Sequence, residues 1–176
     1  IGNQAINNSA IGDRNIAIGG DTLGGASIGN DNIALGDQSL YNNKGGENIA
    51  IGTSAMYYNT DASYNTAVGY NALETNVDGS SNVAVGHKAL QNTTGNFNTG
   101  VGKDALAGTS NTGNSNTAMG YQSMYSIAGG DSNTAVGYQS LNSNTTGGGN
   151  TAVGNLALDK NTADDNTAVG NSSLKN

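Results

Sequence analysis

The chain has 176 residues, a formal net charge of −7, only 11% charged residues, and no Cys, Pro or Trp. This balance excludes disulfide and thiol chemistry, and it disfavours nucleic acid or an anionic membrane as partner, because both are held by Lys and Arg. With 29 Asn and 28 Gly the composition is not that of an ordinary globular domain, although the length by itself would bound one domain.

Ile1-Gly2 opens the chain with the last two residues of a five-residue phrase that then recurs to the end. Full copies begin at Asn15, Asn32, Asn48, Asn65, Asn82, Asn98, Asn116, Asn133, Asn150 and Asn166, at steps of 17, 16, 17, 17, 16, 18, 17, 17 and 16 residues. Position one is always Asn, position two is Ile, Val or Thr, and position three is Ala except at Gly100. Position four is aliphatic or Met, and position five is Gly throughout. Four residues after that Gly stands Leu or Met in every copy, from Leu23 to Leu174. Self-similarity at a fixed period marks a repeat architecture, and apolar residues kept in register argue against disorder. The whole of 1–176 reads as one array of about ten coils. The opening in mid-phrase and the lack of atypical capping repeats are those of a section of a longer array.

The first copies, Asn15-Ile-Ala-Ile-Gly19 and Asn32-Ile-Ala-Leu-Gly36, have the β-branched and aliphatic alternation of a strand. In a strand, positions two and four share one face and positions three and five the other. Between them, Ala26-Ser-Ile-Gly29 reads as a second, looser strand ten residues on, as Ala10-Ile11-Gly12 does before it. Later copies keep only Gly near that place: Gly46, Gly79, Gly130 and Gly147. Two strands per coil are therefore expected. Helix is disfavoured, since Asn, Gly, Thr and Val are poor formers. The chain holds no Asn-Gly dipeptide, the favoured turn of a tight hairpin. Its absence favours parallel stacking of successive coils. The expected class is all-β, a parallel β-roll or β-solenoid with coils of about 17 residues.

From Asn65 onward the phrase settles to N-T-A-V-G, interrupted by Val83, Gly100 and Met119. The repeat positions Asn65, Gly69, Asn133, Gly137, Asn150 and Gly154 are expected to be structural. The Asn side chain can bond a turn backbone or the Asn one coil away. Each coil offers about two good apolar side chains for the interior, such as Val136 and Leu141. That is a small core for 17 ordered residues, and small cores lean on oligomerisation. The face carrying Ala and Gly would let a sister chain approach closely.

Candidates for chemistry are few. His87, the sole histidine, occupies a position that elsewhere holds Tyr70, Tyr121, Tyr138, Lys103, Asp37 or Asn155, which marks a surface slot. One His and no Cys give no basis for a zinc site or a thiol nucleophile. Asp61, Asp78, Asp131 and the Asp164-Asp165 pair lie in the loose segments, as turn formers. Gly129-Gly130-Asp131 resembles a calcium β-roll repeat, but the nine-residue pattern never recurs. Gly147-Gly148-Gly149 lacks the Lys and helix of a phosphate loop. No metal, cofactor or enzymatic activity is expected. Tyr70, Tyr121 and Tyr138 share one repeat position, and Tyr41 and Tyr57 another; same-position rings are expected to stack in rungs, as packing or as a strip for sugar rings. The Thr row at position two is a candidate ice-binding file, broken by Val83.

The phrase N-[STVI]-x-A-[IV]-G in successive coils resembles the head repeats of trimeric autotransporter adhesins, the YadA-like head. The variant NTAVGYxSL…NTTG resembles repeats of phage tail-fibre proteins. The likeness covers essentially the whole chain, with somewhat longer coils here. It implies a left-handed roll, three chains about a common axis, an extracellular, cell-surface or virion location, and adhesion to a surface receptor, extracellular matrix or glycan. A self-assembling extracellular filament is the remaining alternative from the same pattern.

Overall fold

The computed structural model describes residues 1–6, 10–25 and 27–175. The chain is all-β. Ten three-residue strands, one per coil, form a single parallel sheet: β1 (Ile16–Ile18), β2 (Ile33–Leu35), β3 (Ile49–Ile51), β4 (Thr66–Val68), β5 (Val83–Val85), β6 (Thr99–Val101), β7 (Thr117–Met119), β8 (Thr134–Val136), β9 (Thr151–Val153) and β10 (Thr167–Val169). They lie in sequence order, and repeat positions pair in register, as Ala67 with Ala84 and Ala135 with Ala152. The result is a β-solenoid of about nine turns, with the expected spacing of about 17 residues.

Among the described residues the expected second strand per coil is not formed. Its traces among the described residues are two isolated parallel bridges, Ile11 with Ile28 and Thr93 with Asn111. Ala26 of the early second phrase lies outside the described residues. The rest of each coil is a run of turns whose backbone bonds still point along the stack. After β4, the Asn71 N–H donates back to Thr53 at 3.1 Å, and the Leu73 N–H donates forward to Ala89 at 3.0 Å. Thr75 again donates forward, to Gln91 at 2.9 Å. The alternation comes from left-handed residues at every second place: Asn71 has φ 54° and Leu73 φ 51°. The Leu or Met of all ten copies takes this conformation. It costs about 1–2 kcal/mol for a residue with a Cβ. Bonds to both neighbouring coils and burial of the side chain offset it in the inner copies, whereas Leu174 of the last copy is 55% exposed.

The sidedness of the strand differs from expectation. The Ala of position three faces the interior and is buried in every copy, with the Leu or Met column as its partner. Val136, expected inside with Leu141, is on the outer side; Ala135 and Leu141 are fully buried. The reason is thickness. One Leu per coil fills the space between the strand and the opposite turn, and only a methyl fits opposite it. At Gly100, the one exception, an added Cβ would stand 2.8 Å from Cδ1 of Leu90, so the Leu has leaned into the missing methyl's place. The Ala side is therefore the coil's own core and is closed to a sister chain.

Gly at position five is fixed by two separate demands. Gly69 has φ 142°, a region closed to residues with a Cβ, and a Cβ there would lie 2.6 Å from the carbonyl carbon of Gly86. The same approach recurs from coil to coil, for instance at Gly137 against Gly154.

Candidate interaction face

The Asn column ties each coil shut before any outer surface is laid on it. The backbone N–H of each repeat Asn donates to the side-chain Oδ1 of the Asn one coil earlier, as Asn65 to Asn48 at 3.0 Å and Asn133 to Asn116 at 2.9 Å. Nine such bonds run unbroken from Asn15 to Asn166. The side-chain Nδ2 meanwhile crosses the coil to a carbonyl near its end: Asn65 to Gly79, Asn133 to Gly147 and Asn150 to Ala163, each at 2.9 Å. One side chain thus bonds both a turn and the next coil.

A second Asn column stands eleven residues further on, buried at Asn43, Asn59, Asn76 and Asn144 and half-buried at Asn161. Asn59 donates to Asn43 and Asn76 donates to Asn59 at 3.1 Å. Thr93 and Ile127 interrupt it. Above Asn76 the column meets Thr93, and the Asn76 Oδ1 is left buried with no partner. The sequence carries the signal, Asn at a constant offset from the first column, but the interruptions hide it.

Outside this frame the strands present positions two and four to solvent. The position-two file runs Ile16, Ile33, Ile49, Thr66, Val83, Thr99, Thr117, Thr134, Thr151, Thr167, and the position-four file runs Ile18, Leu35, Ile51, Val68, Val85, Val101, Met119, Val136, Val153, Val169. Ile16 is 50% exposed, Ile18 42% and Val169 69%. Ten rungs at about 4.8 Å give a strip roughly 43 Å long, two side chains wide. Its centre changes along the stack: the first three rungs are wholly aliphatic, and six of the remaining seven pair Thr with Val or Met.

The rims change with it. Just before the strands, the first three rungs place Arg14, Asp31 and Glu47, where Arg14 makes a two-point ion pair with Asp31, its NH2 donating at 2.6 Å. That pair raises the Arg14 pKa and lowers that of Asp31, through the hydrogen bond first. Later rungs place exposed Tyr64 and Phe97 on the same rim. The opposite rim, just past the invariant Gly, carries Tyr70, His87, Lys103, Tyr121 and Tyr138 on five successive coils. Tyr70 stacks on His87 at 5.4 Å and Tyr121 on Tyr138 at 5.4 Å, and the Lys103 Nζ lies 5.6 Å from the Tyr121 ring centre. Lys103 and His87 both reach Asp104, at 3.8 and 3.9 Å.

Tyr41 and Tyr57 stack at 5.1 Å on a different wall, away from this rim, with Tyr58 edge-on to Tyr57. Burial, then the neighbouring phenols, push the Tyr57 pKa up. The rings thus cover one another. Tyr121 has Tyr138 on one side and the Lys103 ammonium on the other, and Tyr70, Tyr121 and Tyr138 all remain exposed at the rim.

Among the described residues no group of His, Cys, Asp and Glu is gathered in the manner of a metal site, and no helix is long and apolar enough to cross a membrane. No family model, curated protein or solved structure matches the chain.

Proposed function

We propose that this chain is a non-enzymatic structural and binding segment of an extracellular fibre, associating with copies of itself, as a trimer, through the strip of positions two and four. One observation carries this: the most regular surface of the molecule is two files of mostly apolar side chains held open to water over ten rungs. Monomeric proteins rarely leave a continuous apolar patch of more than a few hundred Å2 uncovered. A sister strip supplies the missing cover in the same rung spacing, since every copy has the same rise. The aromatic and charged rims then lie at the edges of the contact, where pairing sets register. The turn-rich walls opposite stay outside and are free to meet a cell-surface receptor, matrix or glycan. The resemblance to adhesin heads and tail fibres supports the same arrangement, and with it a left-handed coil.

The test is molar mass in solution by light scattering. Three times the chain mass of 17.5 kDa is expected, falling to one when Ile33→Asp and Val136→Asp are introduced together in the strip. A stable wild-type monomer overturns the reading. A specific observation then favours ice binding: the Thr of β4 and β6 to β10 face outward on one in-register parallel sheet, in file beside Val or Met. Inhibition of ice recrystallisation by that monomer would establish the second reading.

A further inference from the structure

Coil lengths are nearly uniform, and the largest step in the array falls where the 16-residue coil 82–97 is followed by the 18-residue coil 98–115. The wall breaks at that step. A notch of about 520 Å3 opens there, lined by Thr75, Asn92, Thr94, Thr109, Ser110 and Thr112. Between the lining residues lies the buried bridge of Thr93 with Asn111, so the surroundings are held by backbone pairing and not by loose chain. A smaller opening of about 260 Å3 lies at the same repeat positions in the early coils, lined by Ser27, Asn42, Lys44, Tyr58 and Thr60.

The chemistry of the lining is narrow. All six residues are neutral, five with hydroxyls and one with an amide. Three are committed to the wall: Thr75 Oγ1 donates to Gln91 O at 2.9 Å, Asn92 Nδ2 to Ala107 O at 3.1 Å, and Thr112 Oγ1 to Ala128 O at 3.1 Å. Thr75 Oγ1 also lies 3.2 Å from Asn92 Oδ1, which ties these two side chains to each other and leaves each oxygen one further lone pair as an oriented acceptor. The hydroxyls of Thr94, Thr109 and Ser110 bond nothing in the protein among the described residues, and they are exposed. Four Thr methyls supply small apolar contacts between the polar groups. A charged ligand finds no counter-charge in this lining, on a chain whose net charge already repels anions. A flat aromatic ligand finds no ring to stack on. The size is that of a small-molecule site, for which about 300–1,000 Å3 is usual.

We infer that this notch is a binding site for a neutral sugar of one or two rings, whose hydroxyls are met by Thr94, Thr109 and Ser110 and by the held oxygens of Thr75, Asn92 and Thr112. The inference rests on the reading of the chain as an attachment module and gives that module a ligand class and a place. It also puts the sugar site on the turn-rich wall, lined by no residue of the strip that copies share. In an assembly of parallel copies the sites recur at one height around the fibre, so a weak single contact gains by repetition.

The test is saturation-transfer NMR on the intact protein with glucose, galactose, N-acetylglucosamine and lactose at millimolar concentration, and with sialyllactose as the charged comparison. Signal from at least one neutral sugar is expected. Thr109→Val with Ser110→Ala is expected to weaken it about tenfold, the effect of losing two hydrogen bonds of modest strength. Ser110→Ala alone, at an exposed position, gives a smaller loss in the same direction. Tyr121→Ala should leave the signal unchanged. The site is overturned by silence from all four neutral sugars, by a signal indifferent to the double variant in a protein of unchanged melting temperature, or by tighter binding of sialyllactose. Light scattering on the same samples separates the two readings. A trimer with no sugar signal removes the site and keeps the fibre, whereas a monomer that binds sugar does the reverse.

Discussion

Ala67 and Val68 are neighbours in one three-residue strand and obey different rules. The inner residue is Ala in nine coils of ten, and its neighbours on the inner side are equally fixed: Leu or Met four places past the Gly, and a small residue before it. The outer residue is Ile, Leu, Val or Met, and its companion at position two ranges over Ile, Val and Thr. Inside, volume decides, because only a methyl fits between the strand and the Leu or Met column opposite it. Outside, the strand fixes only direction and spacing, so polarity can vary from the aliphatic rungs of β1 to β3 to the Thr-bearing rungs that follow. The inner side specifies a coil, and the outer side specifies what the stack of coils meets.

The sharpest way to break that contrast is to truncate on each side of one coil. Leu73→Ala should lower the stability by about 2–5 kcal/mol, the range for a buried Leu whose surroundings cannot collapse. Val68→Ala should cost below about 1 kcal/mol in a chain kept monomeric by Ile33→Asp with Val136→Asp, the background in which both truncations are compared. Urea midpoints at unchanged slope measure both, and equal losses would refute the sidedness. A smaller gain tests the interior from the other direction. Thr93→Asn restores the second Asn column at nearly constant volume and gives the buried Asn76 Oδ1 a donor. A stabilisation of about 1 kcal/mol is expected from that bond. No gain would mean that the orphaned oxygen is satisfied in some other way.

The smallest effect belongs to the outer rim. The Arg14 hydrogen bond lowers the Asp31 pKa, so the folded chain holds that proton less tightly than the unfolded chain. The contribution is therefore full above the ordinary carboxyl pKa and fades as pH falls through the lowered one. Arg14→Gln should lower the stability slightly at neutral pH, where the pair's contribution is full, and leave it unchanged near about pH 2, so that the acid side of the melting curve flattens between about pH 5 and pH 2. An unchanged acid limb would assign no stabilising role to the pair, as many exposed ion pairs have none.

The repeat itself was legible in the residues: ten copies in register gave the parallel stack and the coil length. The Asn oxygen and amide bond the two partners their position allows. Sidedness was not legible, because hydropathy ranks Val above Ala for burial, whereas the space beside Leu73 admits only a methyl. The missing second strand has a related cause. Asn71 and Leu73 sit in the left-handed region, which Leu does not favour by itself, and no residue type announces it. Only the neighbouring coils impose it. The second Asn column was visible at Asn43, Asn59 and Asn76, then lost at Thr93 and Ile127. The wall notch was written in the 16-to-18 step, a difference that reads as noise until the coils are laid on one another.

Every strand in this molecule touches only the strand before it and the strand after it. Nothing reaches across two coils to fix how many there are. A whole coil can be added or removed and its neighbours will find the same Ala, Leu and Asn waiting for them. Stability then accrues in equal instalments, and hydrogen exchange should slow from both ends toward the middle. Duplication of a single 17-residue segment lengthens the reach of the molecule by about 4.8 Å and leaves its cross-section alone. Reach is therefore an inheritable integer, adjustable without redesign of any part.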